Sequence, residues 1–97
     1  MPFIEINLNP NWKVEFCRFE NIEPFLPNGE RNYEVSEDLF QASLEKKGLV
    51  IDIGFYGKIY KVYLIKEQNW ETPIVEKAFS ERLKAAEFAQ ALSFKYV

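Results

Sequence analysis

Residues 49–66 read LVIDIGFYGKIYKVYLIK, two runs rich in β-branched and aromatic residues on either side of Gly57-Lys58. Such runs are typical of β-strands. The glycine suits a two-residue turn in which one position needs a positive φ angle. If Gly57 and Lys58 form this turn, Tyr56 pairs with Ile59, and every later pair follows by counting back along both strands. The stretch therefore predicts an antiparallel β-hairpin with a defined register.

The predicted register divides the hairpin into two faces, because side chains alternate along a strand and paired residues share a face. It pairs Ile53 with Val62 and Asp52 with Tyr63. One face is apolar throughout, and we expect it to form the core. Its residues are Leu49, Ile51, Ile53, Phe55, Tyr60, Val62 and Leu64. The other face mixes aromatic, aliphatic and charged groups and is the candidate contact surface. Its residues are Val50, Asp52, Gly54, Tyr56, Ile59, Lys61, Tyr63 and Ile65.

Two further strands are predicted near the start of the chain. Apolar and polar residues alternate in residues 3–8 and again in residues 12–19, which is the pattern of a half-buried strand. The Asn-Pro-Asn sequence at residues 9–11 supplies turn residues, so these strands are expected to form a hairpin with each other. Residues 21–32 contain two prolines and an Asn-Gly pair, and we interpret them as a surface loop.

A short helix is predicted over residues 37–47. Ser36 is a typical N-cap residue, and two acidic residues follow it in the first turn. Lys46 and Lys47 place positive charge in the last turn, where it interacts favourably with the helix dipole. Gly48 can adopt the left-handed conformation that commonly ends a helix.

The C-terminal part of the chain predicts a strand followed by a second helix. We interpret residues 74–79 as a strand and residues 81–94 as a helix, because Ser80 precedes an alanine-rich run and is a good helix start. Thr72 before Pro73 is also a good start, so one longer helix that begins there remains an alternative. Within this helix the apolar residues recur at helical spacing. We expect the helix to lie across the core face of the hairpin.

Length and composition indicate a single folded domain over residues 1–97. Hydrophobic residues make up 47% of the chain, which includes nine Phe, five Tyr and two Trp and so argues against disorder. No window approaches the roughly 18 apolar residues of a membrane span, and the first ten residues lack the features of a signal peptide. With Cys17 as the single cysteine and no internal disulfide, we expect a cytoplasmic protein without membrane contact.

The residues that usually carry catalysis or bind metals are scarce. The chain has no histidine and one cysteine, which excludes a Ser-His-Asp triad, a Cys-His pair and an ordinary zinc site within one chain. Its four glycines do not form a phosphate-binding or dinucleotide-binding motif. We therefore expect no metal, no cofactor and no enzymatic activity. A small enzyme or enzyme subunit that uses paired carboxylates remains an alternative hypothesis.

Asp52 interrupts an otherwise apolar strand, and the predicted register places it across from Tyr63 and diagonal to Lys61. The expected explanation is structural, an ion pair or a hydrogen bond to the tyrosine on the mixed face.

A second alternative is a nucleic-acid-binding β-hairpin, since aromatic residues and lysines interleave between Phe55 and Lys66 as base stacking and phosphate binding require. The isoelectric point near 5.0 and the expected inward orientation of Phe55 and Tyr60 argue against it. We therefore do not expect a nucleic-acid partner.

The predicted fold is α+β, a small antiparallel sheet of four or five strands in the order ββ-α-ββ(β)-α with two helices on one face. The favoured function is protein binding, as a small cytoplasmic regulatory protein of the inhibitor or immunity type. Its partner is either another protein or a second copy in a homodimer. The candidate contact residues on or near the mixed face are Tyr56, Ile59, Lys61, Tyr63, Ile65 and Trp70.

Overall fold

The computed structural model describes residues 3–20, 27–30 and 38–97. Within these residues, five strands form one antiparallel sheet whose spatial order equals the chain order, and one α-helix follows the last strand. The elements are β1 (Lys13–Cys17), β2 (Asp38–Leu44), β3 (Leu49–Tyr56), β4 (Ile59–Lys66), β5 (Val75–Phe79) and α1 (Arg82–Lys95), with a 3-10 turn at Glu45–Lys47 between β2 and β3. The α+β class with an antiparallel sheet is confirmed, whereas the predicted pair of helices and the ββ-α-ββ(β)-α order are not.

The central hairpin of β3 and β4 has the predicted turn and register. Gly57 has a φ angle of 64°, which an L-residue with a side chain adopts only at a cost. Tyr56 pairs with Ile59, and the ladder continues without interruption to Leu49 and Lys66. Local sequence therefore sets the register of the two strands at the centre of the sheet.

The helix predicted over residues 37–47 is wrong, because residues 38–44 form the strand β2 between β1 and β3. Ser36 and Glu37, its expected N-terminus, lie outside the described residues. From Phe40 to Leu44, buried and half-buried residues alternate, which is the period of a strand and not of a helix. Gly48 does adopt the predicted left-handed conformation, with φ 64°, but it ends a 3-10 turn.

The predicted N-terminal hairpin is also wrong, since residues 3–8 form no strand beyond an isolated bridge from Phe3 to Glu20. Their backbone is held instead by the helix. The amide of Asn7 donates to Oε1 of Gln90 at 3.0 Å, and the amide of Asn9 donates to Oγ of Ser93 at 2.9 Å. Side chains of α1 thus accept two hydrogen bonds from the backbone of this segment where a partner strand would otherwise accept them. The predicted loop at residues 21–32 lies mostly outside the described residues.

The C-terminal prediction is confirmed, with β5 as the edge strand and α1 across one face of the sheet in contact with β3, β4 and β5. The residue at the helix N-cap is Glu81 and not Ser80. Ala85 and Ala89 have no exposed surface, so their small side chains allow α1 to lie close to the strands.

The core lies between the sheet and α1. The apolar face of the hairpin supplies its centre, and Ile51, Ile53 and Val62 are completely buried there. Trp12 and Leu92 also belong to the buried core, and Trp12 Nε1 donates to the carbonyl oxygen of Tyr96 at 2.9 Å. Among the described residues, no helix has the length and apolarity to cross a membrane.

Candidate functional site

The sheet surface that faces away from α1 is the candidate site, and we call it the outer face. Strands β2, β3 and β4 supply its centre, and the paired residues of the register share it. Its central residues are Gln41, Ser43, Val50, Asp52, Gly54, Tyr56, Ile59, Lys61, Tyr63 and Ile65. The structure therefore confirms the predicted division of the hairpin into two faces.

Asp52 lies at the middle of the outer face and is only 7% exposed. Gln41 and Tyr63 are its neighbours on the two adjacent strands. Nε2 of Gln41 donates to Oδ1 of Asp52 over 3.4 Å, so the hydrogen bond is long. Burial raises the pKa of Asp52 to about 6, and the nearby charge of Asp38 acts in the same direction while the Gln41 hydrogen bond opposes it.

The partner of Asp52 differs from the expected one. Nζ of Lys61 lies 3.4 Å from Oε2 of Glu76 on β5, and it pairs with that carboxylate on the solvent side of the sheet. Gln41 provides the hydrogen bond to Asp52. A carboxylate bonded to a neutral amide keeps little compensation for the loss of water, which explains the direction of its pKa shift.

The ring of Tyr56 lies back over its own strand, β3, above Gly54. A Cβ atom built at Gly54 would lie 2.6 Å from the Tyr56 ring and hydroxyl, so the ring occupies the space above this glycine. Tyr56 is nevertheless 40% exposed. Gly54 therefore leaves room for the aromatic ring of Tyr56 against the backbone of β3 while the ring stays partly exposed to solvent.

The structure brings four of the six predicted site residues together. Tyr56 and Ile59 form the last pair before the turn, and Lys61 and Tyr63 follow on the same face of β4. Tyr56 is exposed, and the other three are half-buried. They form one strip along the outer face from the hairpin tip to its centre.

The other two predicted residues do not join this strip. Ile65 is on the outer face but has 0% exposure, so its side chain is not accessible at the surface. Trp70 is 49% exposed but lies in the connection between β4 and β5. That connection leaves the far end of β4, which is about 25 Å from the hairpin tip at about 3.3 Å per residue.

Residues of β1 and β2 complete the outer face. Those of β2 were not predicted, because residues 37–47 were expected to form a helix. Gln41 contacts Asp52, and Oγ of Ser43 donates to Oε1 of Glu15 at 2.5 Å. The alternation of polar Gln41 and Ser43 with apolar residues was the available signal.

A concavity of about 400 Å³ lies at the end of the outer face away from the hairpin tip. Glu15, Glu45 and Glu67 line it together with Gln68 and uncharged residues of β2 and β3. None of the described residues that line it is basic. The concavity therefore presents three carboxylates, and Lys46, Lys47 and Lys66 line the concavity next to it.

The aromatic residues of the hairpin divide between its two sides. Phe55 and Tyr60 are buried in the core with ring centroids 4.7 Å apart, as the sequence predicts. Only Tyr56 and Tyr63 of this stretch lie on the outer face. The stacking surface offered to a nucleic acid is correspondingly smaller than the sequence pattern suggests.

Within residues 3–20, 27–30 and 38–97, no three His, Cys, Asp or Glu side chains are grouped so that they could hold a metal ion. A scan against protein-family models and searches of curated proteins and of solved structures found no match for this chain.

Proposed function

We propose that this chain is a binding protein without catalytic activity that works through its outer face, as a small cytoplasmic regulatory protein of the inhibitor or immunity type. The observation that supports this proposal is the strip of Tyr56, Ile59, Lys61 and Tyr63 on two strands with an uninterrupted ladder. Aromatic and aliphatic side chains on a rigid support lose little entropy on binding and dominate the energetics of protein contacts.

The composition of the strip also favours a protein partner. Lys61 and Glu76 add a solvent-side ion pair next to the apolar residues. Lys61 lies between Ile59 and Tyr63 on the same face of β4, so the strip mixes apolar and charged groups, as many contact surfaces between proteins do. The acidic concavity lies at the end of the outer face away from the strip.

A competing surface lies on the solvent side of α1. Leu83 and Phe94 are 53% and 55% exposed. They are eleven residues apart, which places them on one stripe of the helix at about 3.6 residues per turn. Single exposed apolar residues are common on soluble proteins, so this stripe serves as the control surface.

The test compares two double variants of the whole chain. Ile59→Lys with Tyr63→Thr changes the outer face and keeps residues that strands tolerate. Leu83→Lys with Phe94→Thr makes a matched change on the stripe of α1, since each double variant replaces one apolar residue by Lys and one aromatic residue by Thr. Both proteins are used as bait in lysate of the organism that encodes the chain, and both are studied by sedimentation and circular dichroism.

We expect the outer-face variant to lose both partner capture and self-association while its circular dichroism spectrum and cooperative melting stay intact. The α1 variant should retain whatever association the parent chain shows. Loss of association in the α1 variant alone, or no change in the outer-face variant, would reject the outer face as the binding surface.

A further inference from the structure

We propose that the partner of the outer face is a second copy of this chain, stacked face to face so that Lys58 of each copy enters the acidic concavity of the other. This inference rests on the proposed function, because it uses the same surface. The two copies are related by a two-fold axis that runs between the faces and perpendicular to the strands.

The first support is charge complementarity between the two ends of the outer face. Lys58 is exposed at the hairpin tip. The concavity at the opposite end carries Glu15, Glu45 and Glu67 and offers about 400 Å³, ample room for a lysine side chain. A cation and an acidic cleft on one molecule are complementary when the second copy is turned end to end.

The second support is the matching length of the two ends. Residues Leu49–Tyr56 of β3 extend from the concavity to the hairpin tip. At about 3.3 Å per residue they span roughly 26 Å. A two-fold axis through the middle of β3, close to Asp52, places each tip over the other copy's concavity. Both contacts then form at once, as the self-complementary interface of a two-fold dimer requires.

The third support is the available area. The five strands contain 5, 7, 8, 8 and 5 residues, 33 in all. At about 3.3 Å per residue and a strand spacing of about 4.8 Å they present at most roughly 520 Å² per copy. Specific interfaces bury about 800 Å² per partner, and weak, reversible ones bury less. The outer face is thus large enough for a reversible dimer. The apolar strip of Tyr56, Ile59 and Tyr63 lies inside the overlap.

The experiment reverses the charge of the hairpin tip in one variant and of the concavity in another. One variant carries Lys58→Glu, and the other carries Glu45→Lys with Glu67→Lys. Each variant alone brings like charges together at both ends of its dimer. A mixture of the two restores opposite charges at both ends. Lys84→Glu on α1 makes the same change of charge far from the outer face and serves as the matched control. Sedimentation velocity is measured for each protein and for the mixture over a range of concentrations at low and high salt.

We expect the parent chain and the Lys84→Glu control to form a dimer as concentration rises, more weakly at high salt. Each outer-face charge variant should dimerise about tenfold more weakly. The mixture should recover the parent affinity as a heterodimer. Recovery in the mixture is specific to this arrangement, because general damage to the fold would not be repaired by mixing.

Three results would overturn the inference. In the first, the parent chain stays monomeric and the Ile59→Lys, Tyr63→Thr variant loses capture of another protein. The outer face then binds that other protein, and the proposed function stands. In the second, the parent chain dimerises and the charge variants dimerise equally well. The dimer contact then lies elsewhere on the molecule. A chain with neither dimer nor outer-face-dependent capture contradicts the inference and the proposed function together.

Discussion

The inner and outer faces of the β3–β4 hairpin come from the same sixteen paired residues and differ sharply in composition and burial. On the inner face, Ile51, Ile53 and Val62 have no exposed surface and pack beneath α1. On the outer face, Lys61 and Tyr63 remain half-buried without a covering helix. Alternation along a strand thus separates residues that hold the fold together from residues that are available for contact.

The separation is incomplete, and the exceptions are informative. Ile65 and Asp52 are on the outer face and yet are buried. Their burial does not come from α1, which packs on the opposite face of the sheet. A buried carboxylate there weakens the fold above its pKa, which is tolerable where a residue serves purposes other than stability.

The largest expected effect comes from truncating matched isoleucines on the two faces. Ile53→Ala should lower the free energy of unfolding by about 2 to 5 kcal/mol, because it leaves a cavity in a fully packed site. Ile59→Ala should cost less than about 1 kcal/mol, because its site is half-buried and open to water. Urea denaturation of both variants measures the difference, and equal costs would contradict the assignment of the two faces.

A smaller effect, of opposite sign, is expected from Asp52→Asn. The pKa of Asp52 is raised from 3.8 to about 6 in the folded chain, so the folded state binds the proton more tightly than the unfolded state does. The contribution of Asp52 to stability is therefore complete below pH 3.8 and is lost as the pH rises to about 6. Above that pH, Asp52→Asn should be more stable than the parent by on the order of 1 to 2 kcal/mol.

The difference in unfolding free energy between the parent and Asp52→Asn, measured by urea denaturation from pH 3.5 to 7.5, isolates this group from the other carboxylates. The advantage of Asp52→Asn should grow between pH 4 and pH 6 and stay constant above. An advantage that shrinks over the same interval would mean that a favourable partner stabilises the Asp52 carboxylate.

The sequence was sufficient where structure depends on neighbours along the chain. The turn at Gly57 and the alternation on both sides of it predicted the register of β3 and β4 and the inward orientation of Phe55 and Tyr60. The sequence was insufficient for β2. There, Ser36, the acidic residues after it and Lys46 and Lys47 are typical of helix ends, but the residues between them form a strand. Pairing with β1 and β3 on both sides outweighed that local preference.

The N-terminal segment and part of the site depend on contacts between distant residues. Asn9 bonds to Ser93, 84 positions away, which no local pattern indicates. The same limit applies to the outer face. Alternation placed Ile65 on the correct side, but its burial depends on how the surrounding chain covers it. Gln41 was missed because its strand was missed.

The claim that the outer face is the contact surface is tested most directly by site-specific photo-crosslinking in the organism that encodes the chain. Benzoylphenylalanine replaces Tyr63 on the outer face in one protein and Leu83 on α1 in another. The account predicts crosslinked adducts from position 63, to a second copy of the chain, and none from position 83. Adducts from position 83 with none from position 63 would contradict it.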